Sequence, residues 1–134
     1  MRYPVVIHKD EHSDYGVSVP DIPGCYSAGA TYDEALTNVI EAIECHLEGL
    51  LMDNESIPVG STIDHWINEE EFQGGVWAFI DIDLSQISGK SKRINITIPE
   101  RVLNLIDLYS KNHAVKNRSS FLADAALSYI ESHK

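Results

Sequence analysis

Residues 3–8, Tyr-Pro-Val-Val-Ile-His, form a short apolar run that predicts a β-strand, and Tyr15-Gly-Val-Ser-Val alternates as a second strand does. Residues 9–14 between them are polar and turn-like. Pro20-Asp21-Ile22-Pro23-Gly24 concentrates turn formers, because proline fixes φ and glycine accepts positive φ. Residues 25–29 then read as a third short strand. Strands this close in sequence, joined by short turns, imply an antiparallel meander.

The period changes at Thr31. Threonine followed three positions later by Glu34 is a capping box, in which the hydroxyl accepts from a free helix N–H. Behind it, Leu36, Val39, Ile40, Ile43, Leu47, Leu50 and Leu51 recur at helical spacing, with Glu41, Glu44 and Glu48 on the other face. The spacing predicts a helix over 32–52 with its apolar stripe on the sheet. Residues 53–75 read as loop, with Pro58, Gly60, the run Glu69-Glu70-Glu71 and Gly74-Gly75. Residues 76–83, Val-Trp-Ala-Phe-Ile-Asp-Ile-Asp, are strong β-formers and predict a strand. The order is therefore βββαβ over residues 1–84. A small, polar linker is expected at 85–91, containing Ser88-Gly89-Lys90-Ser91.

From residue 92 to 134 the pattern differs again. Lys92-Arg-Ile-Asn-Ile-Thr-Ile98 alternates strictly, and Pro99 opens a helix, where its missing N–H costs nothing. That helix carries Val102, Leu103, Leu105, Ile106, Leu108 and Tyr109 around much of its circumference and ends near Asn112-His113. Asn117-Arg118-Ser119-Ser120 starts a second helix, with Phe121, Leu122, Ala125, Ala126, Tyr129 and Ile130 at helical period. One strand and two helices of this length close no core, and the strand has no partner in the segment. Dimerisation through residues 92–131 solves both problems, by pairing two strands antiparallel and burying the helices against each other. The fold class expected is α+β, with a βββαβ first domain and a dimeric βαα second domain.

Charge sharpens this division. Residues 1–89 carry 2 basic and 17 acidic side chains, whereas residues 90–134 carry 8 basic and 4 acidic, within a formal net charge of −11 for all 134 residues. Such asymmetry suggests a nucleic-acid-binding end attached to a different kind of module. No run of apolar residues is long enough for a membrane span, and Met1-Arg2-Tyr3-Pro4 opens no signal-peptide core, so the expected location is the cytoplasm, with the nucleoid when bound to DNA. Cys25 and Cys45 are far apart with no CxxC, and read as reduced, mostly buried thiols.

The ribbon that two copies of 92–98 would make has an inward face of Ile94, Ile96 and Ile98 and an outward face of Arg93, Asn95 and Thr97. A two-stranded ribbon fits the major groove, where arginine donates twice to guanine, asparagine brackets adenine and threonine touches a thymine methyl. Arg93, Asn95 and Thr97 are the expected base readers. Lys92 lies on the apolar phase and is assigned to phosphate. Asn117, Arg118, Ser119 and Ser120 stand at a helix start, whose free N–H groups attract phosphate, and Asn117 or Ser119 would also serve as an ordinary N-cap.

Residues 92–131 resemble the ribbon-helix-helix family of bacterial repressors, through Arg-Ile-Asn-Ile-Thr-Ile-Pro, a helix, Asn-Arg-Ser-Ser and a second helix. The resemblance implies operator double-stranded DNA as a ligand. Residues 3–83 resemble the HicB antitoxin family, through Pro20-Asp21-Ile22-Pro23-Gly24-Cys25 followed by Thr31, Glu34-Ala35, Asn38 and Glu41-Ala42. That resemblance implies a partial ribonuclease-H-like fold that binds and inactivates a HicA-like mRNA-cleaving ribonuclease. The implied protein is a type II antitoxin that represses its own operon, as a dimer or, if the first domains also pair, a tetramer. The alternative is a stand-alone repressor whose first domain binds a small ligand or only oligomerises.

Enzymatic chemistry is not expected. Ribonuclease-H-type hydrolysis needs several carboxylates converging on divalent metal. The first strand has none, and Asp81 and Asp83 alone do not make the site. His8, Asp10 and His12 read as solvated turn residues rather than metal ligands, and no P-loop, GxGxxG or nucleophile triad points to a cofactor or a covalent mechanism. The acidic excess suits a partner with a basic, RNA-attracting surface, as well as simple solubility. The loop at 10–14, the exposed glutamates and residues 64–71 are the candidate contacts.

Overall fold

A computed structural model describes residues 1–87 and 92–133. Among the described residues the fold is mixed α+β, with a four-stranded antiparallel sheet and four helices. Its contacts divide it into two units, Met1–Ile82 and Asp83–Lys134.

In the first unit, β1 (Arg2–Lys9), β2 (Tyr15–Ser18), β3 (Tyr26–Gly29) and β4 (Val76–Asp81) pair in the order β3-β2-β1-β4. The first three strands form the expected meander, and β4 returns after the long helix to the free side of β1. The register sets Val5 opposite Ala78, Tyr3 opposite Ile80, and Ile7 opposite both Val17 and Val76. Successive strand residues point to opposite faces. Because Tyr3, Pro4, Val5, Val6 and Ile7 are all buried, β1 is covered on both faces. That is why its sequence is a run of apolar residues rather than an alternation.

Helix α1 (Tyr32–Met52) starts where the capping signal lies: the Thr31 hydroxyl accepts from the Glu34 N–H at 3.1 Å. Ala35, Val39, Ile43 and Leu47, four positions apart, are its buried stripe, and Glu41, Glu44 and Glu48 are exposed. Burial of each large side chain in that stripe contributes about 1.5–3 kcal/mol. The turn before β3 is closed by Ile22 N–H to Val19 O and Cys25 N–H to Ile22 O, both at 3.0 Å. Gly24 takes φ +84°, a conformation that other residues adopt only under strain.

Residues 53–75 are more ordered than the expected loop. They contain α2 (Ile63–Trp66), capped by the Thr62 hydroxyl, and a 3-10 turn at Glu70–Phe72. Asp21 organises this segment. Its carboxylate accepts from Ser61 N–H at 2.9 Å, Ser61 Oγ at 2.6 Å and Trp66 Nε1 at 3.1 Å. Trp66, Phe72 and Trp77 then follow one another edge to face, with centroids 6.1 and 5.8 Å apart.

The strand expected at 76–83 stops at Asp81. Asp83 instead caps a 3-10 turn, Leu84–Gln86, by accepting from the Ser85 N–H and hydroxyl. Of the linker expected at 85–91, residues 88–91 lie outside the described residues. In the second unit, residues 92–98 carry no strand in the single chain. Helix α3 (Glu100–Asn112) follows Pro99, and α4 (Arg118–Ser132) is capped by Asn117, whose side chain accepts from Ser120 N–H. Among this unit's described residues, the buried apolar side chains are Leu84, Ile87 and Ile106. Val102, Leu105, Leu108, Tyr109, Tyr129 and Ile130 are exposed.

Candidate functional site

The second unit holds every residue singled out for DNA. Lys92, Arg93, Asn95 and Thr97 are exposed on a segment that pairs with no strand among the described residues. The apolar phase between them is exposed too, Ile94 at 68 % and Ile96 at 57 %. The alternation of 92–98 therefore exists in sequence while Ile94 and Ile96 stay exposed in the single chain and Ile98 is only half-buried.

The start of α4 is a denser arrangement. Asn117 Oδ1 accepts from Ser120 N–H at 2.9 Å, so the cap function falls to Asn117 rather than Ser119. Ser119 is exposed and Ser120 is buried. Arg118 donates from Nε at 2.9 Å and Nη2 at 2.8 Å to the two oxygens of Asp107 on α3, a bidentate pair open to solvent. These hydrogen bonds hold the Asp107 carboxyl below the ordinary carboxylate range and push Arg118 up. Lys116 Nζ lies 4.0 Å from Asp83 Oδ2, and Ser120 Oγ donates to Asp83 Oδ1 at 3.4 Å. Hydrogen bonding by the Ser85 side chain, aided by Lys116 and Ser120, keeps Asp83 ionised to lower pH than usual.

The sequence reading of this site missed Lys116, Asp107 and Asp83. Lys116 directly precedes the cap and could have been found from its position. Asp107 meets Arg118 across two helices and Asp83 arrives from the preceding turn, contacts that no local periodicity carries.

In the first unit, the candidate partner contacts are spread out. The 10–14 turn is tied by Asp10 N–H to Ser13 Oγ at 3.0 Å and is exposed throughout. Glu69, Glu70 and Glu71 are exposed. His8 Nε2 donates to the Gln73 carbonyl at 3.2 Å, and among the described residues no group of three or more His, Cys, Asp or Glu could hold a metal ion. Cys25 is buried, which pushes its thiol pKa up, while Cys45 is exposed, unlike the expected pair of buried thiols. No helix among the described residues is long and apolar enough to cross a membrane.

This architecture has known counterparts. Residues 3–126 match the family described as HicB-like antitoxin of bacterial toxin-antitoxin system. A 14.9 kDa protein of Haemophilus phage HP1, from the rep-hol intergenic region, is 44 % identical over 127 residues, covering 94 % of this chain and 95 % of its own. The crystal structure of the Burkholderia pseudomallei antitoxin HicB superposes with a TM-score of 0.81 at 45 % identity, over 95 % of this chain and 96 % of that one. A chain of the HicA3 and HicB3 toxin-antitoxin complex matches 62 % of this chain and 99 % of its own at 30 % identity, with a TM-score of 0.54. The chain belongs to the HicB-like antitoxin family of bacterial toxin-antitoxin systems.

Proposed function

We propose that this chain neutralises a HicA-like, mRNA-cleaving ribonuclease with residues 1–84 and represses its own operon by binding operator DNA with residues 92–134. The partner half of this reading is supported by the likeness to a HicA3–HicB3 complex, whose matched chain aligns almost entirely. It is also supported by charge. A ribonuclease must attract RNA, and residues 1–89, with 17 acidic against 2 basic side chains, offer it a competing anionic surface. The first unit acts as a partial ribonuclease-H-like scaffold that binds rather than cleaves.

The DNA half rests on one observation above the others: an alternating 92–98 segment that leaves Ile94 and Ile96 exposed in the single chain beside Arg93, Asn95 and Thr97. Two copies paired as a ribbon would turn Ile94, Ile96 and Ile98 onto α3 and α4 and present Arg93, Asn95 and Thr97 to base edges. Lys92 and the residues at 117–120 would then grip the phosphates on either side. The working unit is a homodimer through residues 92–131, and a tetramer where the first units pair as well. The protein works in the cytoplasm, on the nucleoid when bound to DNA.

Co-expression with a small basic HicA-like ribonuclease tests the first half. The two should co-purify, and the complex should be free of ribonuclease activity. Failure to hold any such partner sinks the antitoxin mechanism for this chain. A mobility shift on the duplex immediately upstream of its reading frame tests the second half, with a scrambled duplex as the control.

A further inference from the structure

The DNA reading needs the start of α4 to grip phosphate, yet in the free chain that place is already electrically satisfied. Arg118 spends Nε–H and one Nη2–H on Asp107. Lys116 and the Ser120 hydroxyl both face Asp83. The two cations nearest the cap are thus each faced by a carboxylate of the same chain.

Resting on that reading, we infer that Asp107 and Asp83 are internal competitors for the phosphate contacts of α4, and set the chain's affinity for DNA by requiring a carboxylate-for-phosphate exchange. Hydrogen bonding lowers the pKa of both carboxyls, from Arg118 for Asp107 and chiefly from Ser85 for Asp83, so both are charged at neutral pH. The exchange is accessible because the Asp107–Arg118 pair is solvent-exposed, with side chains 44 % and 59 % accessible, and such pairs open at little cost. The bidentate contact also leaves Nη1 of Arg118 unused by Asp107, so a phosphate can approach before the carboxylate has left.

The two carboxylates act on the sequence-independent part of binding. Asp107→Asn removes one charge while keeping size. Asp83→Asn removes the other while keeping a side chain that serves well as an N-cap. Because the exchange leaves the same cations on phosphate at its end, the number of phosphates neutralised, and with it the slope of log K against log salt, changes little. What changes is the cost of opening the pairs, so each substitution should tighten binding by up to about fivefold per chain, on operator and on random-sequence duplex alike.

The test is a salt titration of DNA binding by the full chain, on the upstream duplex and on a random duplex. Wild type, Asp107→Asn, Asp83→Asn, Arg118→Ala and the Asp107→Asn/Arg118→Ala double variant are compared, and circular dichroism verifies that each is folded. The expected result is tighter binding by both asparagine variants, with little change in slope. Arg118→Ala should cost more in the Asp107→Asn background than in wild type, because only there is the guanidinium free beforehand. Unchanged or weaker binding by the asparagine variants, with wild type still binding DNA, overturns the competition and leaves the DNA reading standing. Absence of binding by wild type and every variant overturns both.

Discussion

Leu105 is 66 % exposed in the single chain, on the same side of α3 as Val102 and Tyr109 and beside Leu108, all exposed as well. Its substitution separates the stability of one chain from the assembly of two. In an isolated chain a side chain this exposed contributes little, so Leu105→Ala should change unfolding of the chain by less than about 1 kcal/mol. In a two-fold ribbon-helix-helix dimer the same side chain is buried twice, once from each copy. Truncating a buried leucine costs about 2–5 kcal/mol, so the pair of losses amounts to about 4 kcal/mol at the low end. That is a weakening of the dimer constant by roughly a thousandfold. Sedimentation equilibrium across a concentration series, on wild type and Leu105→Ala, reads this directly. One association step should move out of the measurable range while far-UV circular dichroism stays the same. Equal association constants would refute the argument that the exposed face of α3 is covered by a second copy.

Three further outcomes follow from the geometry. Asp21→Ala removes the acceptor for Ser61 N–H, Ser61 Oγ and Trp66 Nε1, although Trp66 still donates to Ser61 Oγ at 2.8 Å. Hydrogen bonds to a charged group contribute about 1.5–3 kcal/mol each and are not additive, so a loss of about 2 kcal/mol is expected in denaturant unfolding, with Asp21→Asn recovering part of it. Gly60→Ala would bring a Cβ to 1.7 Å from the Arg2 carbonyl oxygen, a backbone clash, so the variant should unfold at clearly lower temperature; an unchanged melting temperature would contradict the close approach of 60 to β1. Asp83 and Asp107 have folded-state pKa values below the unfolded value, so the stability they add is present above the ordinary carboxylate pKa of about 3.9 and is lost as pH falls through the folded values. Carboxyl-carbon NMR titration should find both midpoints below that of an unfolded reference, and midpoints at the reference value would remove the case for their partners.

The elements whose information is local were readable from the sequence. The Thr31 cap and the stripe at Val39, Ile43 and Leu47 define α1 to within a residue at each end, because a cap and a 3.6-residue period are both short-range signals. Pro99 and Asn117 mark the starts of α3 and α4 for the same reason. The 53–75 segment was illegible as structure. Its order depends on Asp21, forty residues upstream of Ser61, and on an aromatic chain that ends on β4. The end of β4 was misjudged because Ile82 and Asp83 continue the β-forming pattern, while Asp83 finds a better use capping Leu84–Gln86. At the α4 site, the residues that would grip phosphate could be named from sequence, but not the carboxylates that hold them, since Asp107 and Arg118 meet only through the packing of two helices.

The central claim is that partner neutralisation and operator recognition reside in separate parts of one chain. It is tested most directly in cells that carry the toxin under inducible control and a reporter behind the chain's own upstream DNA, comparing wild type with Arg93→Ala/Asn95→Ala. Each lost bidentate base contact costs about 1–3 kcal/mol of operator discrimination. The variant should therefore release the reporter while rescuing growth as fully as wild type. Parallel loss of repression and rescue, or no rescue by the wild-type chain, would contradict the account.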